Sequence, residues 1–402
     1  MLTAVRLKDF KNHVDTQIPL GRLTCLVGPN GCGKTSVLEG IAFACTSLAE
    51  GAVSFFRRSY VHEDFIRQGC QSFTVETKAE KADPEERYLI AKLALVVSLG
   101  KPLTTGRGSA PDEFSVRVQW RTNCADAGQT GVVSSSGDVA PTSGDDEVTR
   151  HGLYLPPRYK DLKQSALLLS PVIPQLRVPS YSPDETPAMS PDGATLASVI
   201  AYLITADPDR FVVLLARIRE VIPAVQRLRV RPAKVELIEP TKITVNRKEI
   251  PYAETREVIG HELLFDLKGA PGVPARAVSE GTLLVTALLT ATVWNQGADV
   301  LLIDDLEKGL HPKAQRELVM ALKALLDTDP KLQIAFSTHS PYVVDELSAD
   351  QVCILVPDEQ RGVVARRLSD HPRAADALQV LTTGEFLSAE GEDWVREFQD
   401  AA

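Results

Sequence analysis

Short apolar runs that stop abruptly at a polar or small residue recur along this chain. Arg22-Leu23-Thr24-Cys25-Leu26-Val27 stops at Gly28, and Val300-Leu301-Leu302-Ile303 stops at Asp304. Leu332-Gln333-Ile334-Ala335-Phe336 stops at Ser337, and Val352-Cys353-Ile354-Leu355-Val356 runs out at Pro357-Asp358. Such runs, with little or no polar face, predict strands buried on both sides, as in a parallel sheet. Elsewhere the period changes. Gln71 to Thr77 and Phe114 to Trp120 alternate apolar and polar, the pattern of half-buried strands. Helices are predicted over Thr35 to Phe43, Leu196 to Ile204 and Phe211 to Ile222, and strand-like segments over Lys234 to Ile238 and Leu263 to Leu267. Gly281 to Ala298 is free of charge, but its threonines, Asn295 and Gln296 mark a core helix and not a membrane span. Residues 122–147 are rich in Gly, Ser, Asp and Thr and predict a mobile surface loop or partly disordered hairpin. No heptad repeat runs through the middle of the chain, so no long coiled-coil arm is expected.

The chemistry lies where the apolar runs end. After the first comes Gly28-Pro29-Asn30-Gly31-Cys32-Gly33-Lys34-Thr35, a G-x-x-x-x-G-K-[ST] loop between a strand and a helix. Glycines let successive backbone N–H groups turn inward around phosphates, the lysine reaches the β/γ oxygens and the hydroxyl takes magnesium. The positive end of the following helix faces the same anion. The second run delivers Asp304, a carboxylate suited to hold magnesium beside that nucleotide. Residues 34 and 304 must meet at one nucleotide, so the long segment between them is an insertion. Ser279 stands where a helix N-cap would be, ahead of Leu283, Leu284, Val285, Ala287, Leu288 and Leu289. His339, with Ser337, Thr338 and Ser340 beside it, follows the third run, at the carboxyl end of a strand where ligands bind in open α/β sheets.

Asp304-Asp305-Leu306-Glu307-Lys308-Gly309-Leu310-His311-Pro312 resembles the Asp-Glu-Pro-Glu-Asn-Gly-Leu-His-Pro run of RecF/SMC/OLD-type ABC ATPases, and within them the stand-alone AAA-type core ATPases. Leu7-Lys8-Asp9-Phe10-Lys11-Asn12-His13 is similar to the opening of their heads, Ser279-Glu280-Gly281-Thr282-Leu283 to their shortened signature, and Thr338-His339-Ser340-Pro341 to their switch histidine. The resemblance implies an α/β P-loop NTPase of ABC-ATPase type, with a mixed sheet, flanking helices and an α+β insertion between the phosphate loop (Walker A) and the signature. It implies ATP and Mg2+ closed between two subunits. Lys34 would hold the phosphates, with Asn30, Gly31, Cys32, Gly33 and Ser36 completing the cradle. Thr35 and Asp304 would hold the metal, while Asp305, Glu307 and His339 would serve catalysis. Ser279 and Gly281 would face the γ-phosphate bound by the second subunit. One position departs from the family: its usual catalytic Glu is Asp305, one methylene shorter. A base must come within about 2.6–3.2 Å of the water it activates, so slow turnover is expected unless Glu307 substitutes.

Composition then bounds the biology. With 402 residues, 44% of them hydrophobic, the chain can bury a sizeable core in one large or two interleaved domains. The expected division is an ATPase lobe over 1–150, an insertion over 151–270 that forms a lid or partner platform, and a lobe over 271–402 carrying the signature, Walker B and switch histidine. A net charge of −9 does not ask for a broad nucleic-acid surface. Two local basic clusters leave DNA or RNA binding open: Arg217, Arg219, Arg227, Arg229, Arg231 and Lys234, and Arg57-Arg58. Six cysteines without a C-x-x-C pair read as free thiols of a reducing cytosol, and neither a signal peptide nor a membrane span is expected. Transporter ATPases hold these motifs closer together, with a fuller signature. The stretch after His339 contains no D-x-D, so a nuclease is expected on a separate chain. The expectation is a cytoplasmic ATPase, a homodimer or higher oligomer, acting as a regulatory or sensor subunit in bacterial anti-phage defence or genome maintenance. The alternatives are a RecF-like DNA-binding repair ATPase and a catalytically weak, ATP-dependent assembly scaffold for an effector nuclease. The Q-loop glutamine stays open among Gln68, Gln164 and Gln175.

Overall fold

A computed structural model describes residues 1–50, 65–82, 88–99, 114–122, 130–134, 139–141, 165–245, 248–294 and 298–397. The strands are β1 (Leu2–Phe10), β2 (His13–Pro19), β3 (Leu23–Val27), β4 (Ser72–Ala82), β5 (Tyr88–Leu99), β6 (Phe114–Thr122), β7 (Thr130–Ser134) and β8 (Val139–Pro141). They continue as β9 (Ala166–Leu169), β10 (Val225–Val245), β11 (Lys248–Leu267), β12 (Ala270–Pro274), β13 (Val300–Ile303), β14 (Gln333–Ser337), β15 (Val352–Asp358) and β16 (Gly362–Arg367). The longer helices are α1 (Lys34–Glu50), α2 (Leu196–Ala206), α3 (Pro208–Val221), α4 (Glu280–Val293), α5 (Pro312–Thr328) and α6 (Thr383–Glu390). The chain divides into two compact units. One comprises Met1–Leu168, Gly297–Glu307 and Leu326–Ala402, and the other Leu169–Gln296 with Lys308–Leu325.

The four apolar runs become the core of a six-stranded sheet in the first unit, ordered β16-β15-β3-β14-β13-β9. β15, β3, β14 and β13 are mutually parallel, and β16 closes the edge antiparallel to β15. Every residue of β3, β13 and β14 is buried, which is why their sequences lack a polar face. A second sheet, β2-β1-β4-β5-β6-β7-β8, pairs its strands antiparallel throughout. Helix α1 joins the two through one core: Val37, Leu38, Ile41 and Phe43 pack with Val5, Leu7 and Val75 of one sheet and with Leu302, Ala335 and Leu355 of the other. Phe73 anchors this core, its ring 5.2 Å from Phe10 and 5.6 Å from Phe43 in edge-on contacts. The helix is buried from Ser36 to Ser47, so it carries no polar stripe. Of residues 122–147, Thr122 ends β6 and two segments form β7 and β8; the rest of that stretch, with Arg57, Arg58, Cys124 and Gln164, lies outside the described residues.

Two polar ties cross this core. Gln333 of β14 is buried, and its amide donates to the carbonyls of Leu2 and Gly21, both at 2.7 Å, while its oxygen accepts the Leu2 N–H at 3.0 Å. One side chain thereby ties main-chain groups of β1 and of the turn before β3 to β14. His13, wholly buried at the start of β2, has Nδ1 3.0 Å from the Thr16 hydroxyl and Nε2 3.2 Å from the Gly33 carbonyl. Thr16 spends its one proton on the Val363 carbonyl at 2.7 Å, so it accepts from Nδ1–H. A neutral ring has no second proton for Gly33. Burial nevertheless keeps the ring neutral, pushing its pKa from 6.5 down to about 4 against the opposing pull of the Gly33 carbonyl.

The second unit is built on a hairpin of β10 and β11, in register from Val225↔Leu267 to Val245↔Lys248, with β12 beside β11. It is far longer than the two short segments legible in the sequence. From Arg229 to Leu237 each residue is exposed or half-buried, and the half-buried side changes from Val230 to Ala233, Val235 and Leu237, so no single apolar face runs the length of the strand. Its cations are largely paired: Arg229 with Asp266, Arg231 and Arg276 with the buried carboxylate of Glu262, and Lys234 with Glu257. Arg217 and Arg219 donate to the carbonyls of Ala321 and Gln226. Helices α2 and α4 meet through Tyr202 and Trp294, whose indole N–H donates to Pro187 O at 2.8 Å. No described helix is long and apolar enough to cross a membrane. Cys25, Cys45 and Cys353 are free, fully buried thiols, and burial pushes the last two up to about 12, which leaves them protonated core residues.

Replacing Gln333 by Leu removes three buried hydrogen bonds to main-chain groups and is expected to destabilise the fold by about 2–4 kcal/mol. Urea denaturation of the variant checks this, and an unchanged midpoint contradicts it. His13 stays neutral in the fold at pH values where the unfolded chain takes up a proton. Its contribution is therefore complete above about pH 6.5 and is lost as pH falls toward 4, by about 3 kcal/mol. Denaturation of wild type and His13→Gln across pH 4–7 should show this slope in the wild type alone.

Candidate nucleotide site

The site forms where β3, β13 and β14 end. Gly28 lies so close to β15 that a side chain there would sit 2.1 Å from the Leu355 carbonyl. Gly33, at φ 94°, faces His13 with a side chain's first carbon only 2.5 Å from Nε2. Both positions require glycine, and Gly31 adds a third left-handed turn at φ 78°. The loop is braced from outside by the turn between β1 and β2, where the Asn12 amide donates to Gly31 O at 3.0 Å. Next to it Lys11 is paired with Glu39 of α1 and lies over the Phe65 ring. Asn30 is exposed at the loop's tip, and Ser36 is buried in the first turn of α1.

Lys34 opens α1 and is 6% exposed. Its ammonium donates to the carbonyls of Gly28 (2.9 Å) and Pro29 (3.2 Å), beside Cys32 Sγ at 3.9 Å. Among the described residues no carboxylate pairs with it at salt-bridge distance. A buried cation held by neutral acceptors is a place for an anion. Thr35 follows, and its hydroxyl lies 3.1 and 3.0 Å from the two oxygens of Asp304. A hydroxyl and a carboxylate at this spacing, beside a phosphate cradle, are the donor set that magnesium takes in P-loop proteins. The residues present thus fit Mg-ATP.

Beyond Ile303↔Phe336 the β13–β14 ladder ends, and side chains continue the connection. Ser337 donates to Asp304 Oδ1 at 2.6 Å and accepts the Asp305 N–H at 2.8 Å, while Leu306 N–H reaches Ser337 O at 3.0 Å. Asp305 is exposed and left-handed, at φ 51°. Aspartate is one of the few non-glycine residues that adopt this conformation readily. Glu307 binds the Thr338 hydroxyl and the His339 N–H, and the His339 imidazole is exposed. Lys34, Thr35, Asp304, Asp305, Glu307 and His339 all lie in the first unit. Ser279 and Gly281 lie in the second. Ser279 caps α4, accepting the Thr282 N–H at 3.3 Å, and a side chain at Gly281 would meet Gly309 O at 2.8 Å.

Several contributors were not singled out from sequence as site residues. Asn12 and His13 belong to the polar turn between two strands, a signal that could have pointed to the loop they brace. Glu392 gave no signal. Its carboxyl is pushed up by burial and held back by the nearby charge of Lys34, with a further pull from His339, which places it in the electrostatic field of the site. Burial also raises the Cys32 thiol, opposed by Lys34.

Two families match this sequence: residues 159–345 match "AAA domain, putative AbiEii toxin, Type IV TA system", and residues 4–122 match "AAA domain". Among curated proteins the chain is similar to "Retron Vc95 probable ATPase" of Vibrio cholerae serotype O1 biovar El Tor, 33% identical over 91 residues, 22% of this chain and 17% of that protein. It is similar to "Septu protein PtuA" of Bacillus thuringiensis, 34% identical over 88 residues, 22% of this chain and 21% of that protein. It is also similar to "OLD nuclease" of Thermus scotoductus, 42% identical over 67 residues, 16% of this chain and 12% of that protein. The matched stretches therefore span at most about a fifth of those relatives' own length. Among solved structures, an Smc head bound to the C-winged helix domain of ScpA aligns over 92% of this chain and 98% of its own, at 15% identity and a TM-score of 0.46. The SMC head domain from Thermotoga maritima aligns over 91% and 98%, at 13% identity and a TM-score of 0.43. The two AAA-domain matches, the phosphate loop and the parallel sheet centred on β3 together mark a P-loop NTPase fold.

Proposed function

We propose that the chain binds ATP with magnesium at this site and hydrolyses it slowly, as a timer. The observation that carries this is the meeting of Thr35 with Asp304 beside the buried ammonium of Lys34. In phosphoryl transfer, positioning and electrostatics account for most of the catalysis. Lys34 and the loop N–H groups would hold the phosphates, and Thr35 and Asp304 the metal. Magnesium, when bound, neutralises charge on the β- and γ-phosphate oxygens. Asp305 would orient the attacking water, and its left-handed backbone supports the choice of Asp over the longer Glu. His339 would sense the γ-phosphate. Ser279 and Gly281, at the capped start of α4, would act on the nucleotide of a second copy and close a homodimer.

The three relatives, a retron ATPase, a Septu protein and an OLD nuclease, support a place in bacterial anti-phage defence, and there the chain would act as a regulatory or sensor subunit with a separate effector chain. Between an effector partner and a duplex-binding clamp, the arginine stretch favours the former, because its cations on β10 are matched by Asp266, Glu262 and Glu257. Phosphate binding would have to displace these carboxylates.

Lys34→Ala is expected to weaken ATP binding roughly 10- to 100-fold, the loss of one charge-assisted contact set, as read by fluorescent-nucleotide titration. Asp305→Glu is expected to raise steady-state turnover roughly threefold or more, while destabilising the fold by about 1 kcal/mol through the left-handed backbone. A fast wild type, or no acceleration in the variant, contradicts the timer. Asp305→Asn with ATP should trap a species of about twice the 43.8 kDa protomer mass in light scattering.

A further inference from the structure

Glu307 lies three residues beyond Asp304, and the fold gives its carboxylate a definite task. Asp305 turns left-handed at φ 51°, two residues after the last pair of the β13–β14 ladder, Ile303↔Phe336. Glu307 spans the gap that follows. Its Oε2 accepts the Thr338 hydroxyl at 2.6 Å, and its Oε1 accepts the backbone N–H of His339 at 2.7 Å. Thr338 is wholly buried, and its oxygen in turn accepts the Ser340 N–H at 3.1 Å. The segment Thr338–Ser340, held to β3 by the Thr338 N–H on Leu26 O at 3.1 Å, is thus tied to the stretch after β13 by one carboxylate, next to an imidazole that is exposed.

We propose that Glu307 is a positioning residue for His339 and not a second base. The inference rests on the ATPase reading of the pocket. Each oxygen of Glu307 already holds one donor, from residue 338 or 339, so a water on a remaining lone pair would have to share the carboxylate with the bonds that hold the His339 backbone. A carboxylate suits this task because its two oxygens can take a hydroxyl and a main-chain N–H at once. Ser337 makes the matching tie on the other side, between Asp304 and Asp305. The carboxylates after β13 and the hydroxyls after β14 thus form two successive cross-links. The first orients the metal pair and the second orients the histidine.

Glutamine at position 307 keeps an acceptor for the His339 N–H, whereas alanine removes both contacts. Steady-state ATP hydrolysis by wild type, Glu307→Gln, Glu307→Ala, His339→Ala and the Glu307→Ala/His339→Ala double variant tests the assignment, with ATP affinity measured on each. Positioning predicts that Glu307→Gln keeps kcat within about threefold, while Glu307→Ala loses roughly 10- to 100-fold in kcat with KM little changed. It also predicts that the double variant is no slower than His339→Ala alone, because the two residues act as one unit. Equal inactivation by Gln and Ala, with loss of the acidic limb of the pH–rate profile in both, assigns Glu307 as a base and overturns the proposal. So do losses that multiply in the double variant. A wild type that binds no ATP overturns the ATPase reading itself, an outcome distinct from any ranking of the variants.

Discussion

The hydrogen bond between the Thr35 hydroxyl and the Asp304 carboxylate joins residues from opposite parts of the sequence, and the architecture of the first unit serves to make it. Thr35 is placed by α1, which is locked between two sheets by Phe43, Ile41 and Leu38. Asp304 is placed by β13, which does not touch β3 directly: β14 lies between them. The span is crossed by Ser337 at the end of that middle strand, which donates to Asp304. A shift of α1 against the sheet by one ångström would part a hydroxyl from a carboxylate that now lie about 3 Å apart. The tight core around Phe73 and the Gln333 bridge therefore bear on chemistry at the loop, although neither residue approaches it in sequence.

The parallel strands and the loop were legible because their physical requirements are local. A strand buried on both faces must be apolar throughout, and a phosphate cradle needs glycines at fixed spacing. The same reasoning put Asp304, Ser337 and His339 at or just past the carboxyl ends of such strands, where the fold has them. Where burial is incomplete the pattern fades. The β10–β11 hairpin was visible only as Lys234–Ile238 and Leu263–Leu267, because the half-buried side of β10 changes between Val230 and Ala233 and breaks the alternation there. The arginines there read as a basic cluster, since sequence cannot display the carboxylates that the register sets opposite them.

Roles that depend on partners across the fold were the least legible. Nothing local to Leu306-Glu307-Lys308 says that both carboxylate oxygens will be taken by Thr338 and His339. The bracing of Gly31 by Asn12 and the approach of Glu392 to the field of Lys34 are likewise products of topology. Asp305 was noticed for its missing methylene, and the structure adds a backbone reason: φ 51° favours a short polar side chain over glutamate.

The central claim is that Thr35 and Asp304 form a magnesium site for a nucleotide held by Lys34. Isothermal titration of a non-hydrolysable ATP analogue, with and without magnesium, into wild type and Asp304→Asn addresses it directly. The account predicts that magnesium tightens binding to the wild type and that the variant loses this tightening while still binding the metal-free nucleotide. Equal dependence on magnesium in both proteins would contradict it.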